Sequence, residues 1–469
     1  MIDEISLVTA AWIAWILLGI VWFFTMRASL AVPVCVCGAM VFLPNLSTGL
    51  VVAPQFLDFE LTKPHAGSLA VLLGSGCRAL WNLLDSDHTP EPRRTVVKSS
   101  WLFDLPMVAW VLMPMVTAWH NGSPFGSTGV AFSIDHALHW GVPYASARLT
   151  FRDFRSQIDL LMVIAGLGVL LVPMCLYEMI VGPERYLQVL LFGADVPSEG
   201  HAWRLGGWRP HVMFGNGIRL GRWMCVATLA CLTLCLTLNR YRLRFLGESF
   251  DLGTRSGWIA LVLLAPTTLL CRSFSWIYLG FAGAPILLAT RRLPRLVGVL
   301  LLCAIPIASY GVMAIRLMDA VDVQPILSTV ERANQRIAKS WAFRLQSERV
   351  YIDMTLDSPY RWFGSNTLPN RNKYPYYSDQ RYMMALRNFG LVGLGTWSLT
   401  LIAPFVGGVI ALLRIPPGEG AHQCVLSYFL LIVALVFWDC LLNAFVNPVF
   451  YLSAGLLVSA YASSFVRAR

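Results

Sequence analysis

Thirteen apolar runs, most of them near the length of about 20 residues that crosses a bilayer core, divide this chain from end to end. They lie at roughly 6–25, 29–53, 66–84, 101–119, 129–147, 158–180, 215–238, 256–271, 275–291, 295–314, 384–413, 424–443 and 449–466. In hydrocarbon every backbone N–H and C=O must be satisfied within the protein, and continuous apolar runs of this length do that as helices. The expected fold is therefore all-α: a polytopic integral membrane protein of about 12–13 transmembrane helices. The pair at 256–291 is also readable as a re-entrant hairpin. No internal repeat or low-complexity tract interrupts the pattern, so residues 1–469 form one membrane domain.

Composition agrees. Of 469 residues, 57% are hydrophobic and 13% charged, where a soluble domain carries about 25% charged residues. The net charge of +10 falls in short clusters between apolar runs rather than on one continuous face, so nucleic acid is not an expected partner. All eleven cysteines sit inside apolar runs, where they read as small apolar residues; no disulfide framework or metal site is indicated. The Met1-Ile2-Asp3-Glu4 start lacks the positive region of a cleavable signal, so the first run is expected to remain as a span.

Lys and Arg in short loops mark the cytoplasmic side. Arg93, Arg94 and Lys98, then Arg152 and Arg155, then Arg240, Arg242 and Arg244, then Arg291, Arg292 and Arg295, and finally Arg467 and Arg469 all fall on one side of a thirteen-span chain. The 181–214 and 315–383 loops then lie outside the cytoplasm.

The second of these loops breaks the charge pattern, with ten basic residues against seven acidic ones between 315 and 383. It is also rich in aromatic residues, among them Trp341, Tyr351, Tyr360, Trp362 and Tyr382. Planar guanidinium groups fork onto phosphate oxygens and rings stack on lipid or sugar faces, so this mixture suits an anionic, partly apolar ligand such as a lipid-linked phosphate. A bland solvated loop is the alternative. Residues 328–356 read as one helix, with Ala333, Ile337, Trp341 and Leu345 on a stripe and Asp357-Ser358-Pro359 at its end. Arg344 and Glu348 share a face, as a surface ion pair or as parts of a site. In the first loop, Arg204 and Arg209 flank Gly206-Gly207 beside Trp203 and Trp208. The turn suits presentation of both guanidiniums to one diphosphate; interfacial anchoring by the tryptophans is the alternative.

Asp104, Asp135, His136, His139, Glu178 and Asp439 lie in or near apolar runs, where ionisable groups are costly. Most are near span ends, within expected reach of lipid headgroups. His136 and His139, three apart, suggest a metal or a proton relay, but sequence offers no third ligand.

Taken together, residues 100–410 resemble the O-antigen ligase and O-antigen polymerase superfamily of bacterial envelope proteins. The resemblance is carried by Asp104-Leu105-Pro106, the Tyr144-to-Asp153 stretch, Tyr177-Glu178, Arg204-to-Pro210, and Phe214-Gly215-Asn216-Gly217. It continues through Arg344-x3-Glu348, Ser358-Pro359 with Phe363-Gly364, and Arg381-Tyr382 running into Gly390-Leu391-Val392-Gly393-Leu394. It implies a multi-pass protein of the bacterial inner membrane that transfers a glycan from an undecaprenyl-diphosphate carrier to an acceptor glycan or lipid, without metal or other cofactor, alongside other polysaccharide-assembly proteins. Where ligases of the family carry a histidine before the next span, this chain has Asp379. On this reading Arg204, Arg209 and Arg344 hold the diphosphate and Asp379 assists the acceptor hydroxyl. Glu348 orients Arg344, and Arg336, Arg361 and Arg371 are further substrate-binding candidates. A transporter or flippase, or a non-catalytic binder of lipid-linked sugars, is the competing class; a transporter is expected to show paired repeats and mid-membrane polar groups.

Overall fold

The computed structural model describes residues 2–46, 62–84, 98–122, 127–238, 240–245, 248–318, 324–333, 335–365, 380–441, 443 and 447–467. It is an α-helical bundle, with strands, among the described residues, confined to two small hairpins. Its helices are α1 (Ile2–Thr25), α2 (Ala28–Phe42), α3 (Lys63–Leu84), α4 (Leu105–His120) and α5 (Ser127–His136), which runs through a π-helical turn (Ala137–Gly141) into α6 (Val142–Thr150). Then follow α7 (Phe154–Val181), the short α8 (Leu187–Phe192) and α9 (Glu199–Ala202), hairpin β1–β2 (Trp203–Arg204, Gly207–Trp208) and α10 (Gly217–Thr237). Hairpin β3–β4 (Arg240–Phe245, Glu248–Gly253) leads to α11 (Thr254–Leu270), α12 (Phe274–Arg292) and α13 (Arg295–Leu317). The chain closes with α14 (Gln324–Ala333), α15 (Gln335–Leu356), α16 (Arg381–Leu413), α17 (Gly420–Cys440) and α18 (Pro448–Arg467).

Seven of these helices are long and apolar enough to cross a membrane, and α2, α4 and residues Arg255–Leu270 of α11 are shorter apolar helices. The architecture is that of a multi-pass membrane protein. Its outward faces agree: Leu17 and Val21 on α1, Ile259 and Val262 on α11, Phe281 on α12 and Ile307 on α13 are all more than half exposed. Such surfaces are costly in water and at home against lipid.

The core forms around α17, of which almost every residue is buried. It packs against α10, α12, α13, α16 and α18. Two polar ties cross the bundle near its basic end, where Arg27 and Ser29 both donate to the buried Asp159 on α7. Asp153 caps α7, accepting from the Ser156 amide at 2.9 Å, which explains why the helix starts sharply after Arg152.

Two expectations need correction. The helical stretch expected over 328–356 begins earlier, at Gln324, and is described as α14 and α15 on either side of residue 334, which lies outside the described residues. The run at 384–413 begins earlier, at Arg381, and is kinked at Gly390. There φ is +65°, and the Leu391 and Val392 amides leave the helix to donate to the carbonyls of Arg361 and Trp362 at 2.9 and 3.0 Å. Gly364, also at positive φ, packs on the backbone of Asn388 and Phe389. The two glycines admit a backbone approach that no side chain allows, and so stitch the end of the loop segment to α16.

Candidate functional site at the loop-bearing face

The ends of α7, α10, α12, α13, α16 and α17 that carry the two long loops enclose a concentration of buried cations. The first loop is fixed by one carboxylate. Glu178, near the end of α7 and fully buried, accepts the amides of Leu187 at 2.8 Å and of His211 and Val212 at 2.7 Å each. Tyr186 donates its hydroxyl to the Arg209 carbonyl at 2.6 Å, and the Arg209 amide bonds to Ala202 at 2.7 Å. The backbone of Arg209 is thereby held on both sides.

Its side chain lies across Gly217, the first residue of α10, where a Cβ would collide with it. Arg209 is 6% exposed, and among the described residues its guanidinium makes no hydrogen bond or ion pair. Burial, and then the like charge of Arg204, pull its pKa down to about 10, so it remains cationic at neutral pH. Next to it, burial and Arg209 depress His211 to about 3 and keep that imidazole neutral; among the described residues its Nδ1 has no hydrogen-bond partner.

Further cations follow along α10. Asn216 caps the helix by accepting from the Ile218 amide at 2.7 Å. Arg219 Nη1 donates to Asn45 Oδ1 at 2.8 Å. Arg222 donates to Asp439 on α17, which also receives Asn443 Nδ2 at 2.6 Å. Lys63, at the start of α3, donates to the carbonyls of Met40 and Met213 at 2.9 and 2.7 Å and sits 4.8 Å from the Phe214 ring centre. It lies within electrostatic reach of Arg219, as does Arg222. Arg272 reaches across Gly207 to the Trp208 carbonyl at 3.3 Å. A helix N-terminus is already electropositive, so gathering cations there is unfavourable unless an anion joins them.

From the second loop segment, α15 brings Arg344 and Glu348 to this end of the bundle. Arg344 is half-buried and within electrostatic reach of Asp439. Glu348 faces Arg316 Nη2 at 3.2 Å and receives Gln380 Nε2 at 3.1 Å and the Tyr382 hydroxyl. Burial lifts Glu348 above the ordinary carboxylate range against the pull of Arg316. Arg316 also donates to the Leu441 carbonyl at 3.3 Å, and the Arg381 amide to the Asn443 carbonyl at 3.3 Å. Both ends of the 318–380 segment are thus tied to the end of α17.

The expected site residues fare differently. Arg204 and Arg209 lie on and just after one hairpin, within each other's field. Leu205 and Gly206 form its turn at positive φ, while Gly207 is the strand residue beneath Arg272. Arg344 reaches the same region through Asp439 and Arg222. Glu348 does not orient Arg344 as expected: its partners are Arg316, Gln380 and Tyr382, and it clamps α15 to α13 and α16. Arg361 is exposed, 5.5 Å from the Trp362 ring. Arg336 lies on α15 with its side chain outside the described set, and Arg371 and Asp379 lie outside the described residues altogether.

Of the acidic groups near span ends, two lie inside the bundle and Asp104 stays partly exposed. Glu178 and Asp439 are fully buried, and Asp104 receives the Tyr144 hydroxyl at 2.8 Å with Arg148 Nε at 3.5 Å. Lys63, Arg219, Arg222, Arg272 and Arg316 were not anticipated as site residues; a cation inside or at the mouth of an apolar run was the signal that marks them. The third partner missing for His139 is also present. His65, Asp135 and His139 offer ligand atoms within 4.8 Å of one another. However, His65 Nδ1 accepts the Thr62 amide at 2.9 Å, so its ring hydrogen sits on Nε2, 2.8 Å from Asp135 Oδ1. A metal-binding histidine has the opposite arrangement, so the trio is organised around the close approach of His65 to Asp135. His136 is turned away, stacked on Trp110 and Trp140 with ring centres 5.1 and 4.3 Å distant.

No protein-family model matches the chain, and no curated protein is found to match it.

Proposed function

We propose that this chain transfers a glycan from an undecaprenyl-diphosphate-linked donor to an acceptor hydroxyl, as an envelope polysaccharide polymerase or ligase, at the extracytoplasmic face of a bacterial inner membrane. The observation that carries this reading is Arg209: a buried guanidinium, unpartnered among the described residues, laid over the N-terminus of α10 beside Arg204, with Arg219 and Arg222 following along that helix. A diphosphate supplies the missing anion and accepts forked hydrogen bonds that a planar guanidinium is built to give.

In the reaction, the acceptor oxygen attacks the anomeric carbon as the bond from that carbon to the diphosphate oxygen breaks. The leaving diphosphate gains charge, and preorganised cations outside bulk water stabilise it. The two loops, both fastened to the bundle, orient two large substrates. The acceptor proton goes to Asp379 on this proposal. His211, neutral and with an unpartnered Nδ1, is the described group next to Arg209 that also suits the role. Glu348 is a positioning residue, since its oxygens are engaged by Arg316, Gln380 and Tyr382.

The test is the pool of lipid-linked glycan in cells lacking the chain. Accumulation of diphosphate-linked units on the outer side of the membrane, with loss of the finished polymer, is expected. Accumulation on the inner side would favour a flippase, and an unchanged pool would remove both readings.

A further inference from the structure

At the opposite end of the bundle, a cavity of about 390 Å³ opens between the start of α7, the end of α16, the start of α17 and the end of α18. Arg152, Gln157, Arg414, His422, Ser463 and Phe465 are among its lining residues. Three features mark it as built for a ligand. Gln157 is 1% exposed, yet its Oε1 has no hydrogen-bond partner among the described residues. Two arginines line the same cavity, and the Arg414 guanidinium is held over the Phe465 ring at 3.8 Å. The neighbouring acids are engaged elsewhere: Asp153 caps α7, and Glu419 faces His422 Nδ1 at 3.2 Å.

We propose that this cavity binds the headgroup of an anionic phospholipid, its phosphate facing Arg152 and Arg414 and a hydroxyl of its substituent donating to Gln157 Oε1. The size is at the small end of ligand cavities, which run from about 300 to 1,000 Å³, and accommodates a phosphoglycerol group while the acyl chains remain in the bilayer. The position argues for a lipid over a soluble phosphate. Arg152, Arg155, Arg291, Arg292 and Arg295 cluster at this end of the bundle, which the positive-inside rule places at the cytoplasmic leaflet, where anionic lipids gather. The inference is independent of the transfer reaction, which is proposed for the other face.

Native mass spectrometry of the purified full chain in detergent tests it, with phosphatidylglycerol, phosphatidylcholine and soluble glycerol 3-phosphate as probes. The wild type should retain phosphatidylglycerol over phosphatidylcholine, whose headgroup has no hydrogen to give Gln157. Arg152→Gln with Arg414→Gln should cut retention about fivefold or more, and Gln157→Leu should abolish the preference between the two lipids while keeping phosphate binding. Should the charge variant fail to fold, Ser463→Phe, which fills the cavity without touching a charge, should cut retention likewise. Equal retention by wild type and these variants would overturn the proposal. So would glycerol 3-phosphate binding as tightly as the lipid, which would assign the cavity to a soluble phosphate.

Discussion

Arg222 on α10 donates directly to Asp439 on α17, and both side chains are all but excluded from solvent. The pair bridges the helix that starts under Arg209 and the helix at the centre of the bundle. Arg209, over Gly217, and Arg222 are therefore linked by little more than one turn of α10, a rise of about 1.5 Å per residue. Arg344 joins them through its attraction to Asp439.

Breaking that pair on one side leaves an uncompensated buried charge. Arg222→Met alone should cost on the order of 3–5 kcal/mol of stability. Arg222→Met combined with Asp439→Leu should recover most of the loss in thermal unfolding. On the proposed function, which counts Arg222 among the cations along α10, the double variant should still fail in glycan transfer. Full activity in a stable double variant would restrict Arg222 to a structural role.

The stitch between the loop and α16 gives a second expectation. Gly390→Ala imposes a side chain at a φ of +65° and against the Trp362 backbone. The strain alone is about 1–3 kcal/mol. Thermal unfolding should fall accordingly, and proteolysis within 318–380 should accelerate while the remaining helices stay protected. A protease pattern identical to wild type would show that the stitch does not hold the loop.

His211 sets a pH dependence. An ordinary histidine takes a proton near 6.5, whereas burial and Arg209 hold His211 neutral down to about 3. Between those values the unfolded chain binds the extra proton, so stability from this residue is complete above 6.5 and is lost as pH falls toward 3. The slope is on the order of 1 kcal/mol per pH unit. Melting curves from pH 7.5 to 4.5 should therefore fall more steeply for wild type than for His211→Gln. Parallel curves would mean that the imidazole is protonated in the folded protein.

Much of this architecture was legible in the chain because run length and loop charge are local properties. Within the described residues most of the apolar runs correspond to helices, and α7, α10 and α17 lie close to where hydropathy puts them. Arg204 and Arg209 were legible as a pair because five residues and a tight turn separate them. Pairings across long stretches were not. Arg222 and Asp439 are 217 residues apart, and nothing local says that a cation in the seventh run meets an acid in the twelfth. The same applies to Glu348, whose helical neighbour Arg344 suggested a partner that Arg316 and Tyr382 supplanted. Several positions far apart in the chain interlock in space: Asp104 with Tyr144, Glu178 with the 211–212 amides, Glu348 with Tyr382, and Gly364 against α16 near Gly390. Only the fold displays that these positions hold one another.

On the proposed function, Arg209 stays buried and unpartnered among the described residues in order to receive a diphosphate. The most direct measurement is transfer by the purified chain, reconstituted in vesicles with an undecaprenyl-diphosphate-linked glycan and acceptor, compared for wild type, Arg209→Lys and Arg209→Met. Removing an unpartnered buried charge relieves its desolvation, so Arg209→Met should melt at or above the wild-type temperature. Turnover should nevertheless drop about 10²–10³-fold in both variants, since a lysine point charge does not reproduce the fork. Wild-type turnover by a well-folded Arg209→Met protein would contradict the account.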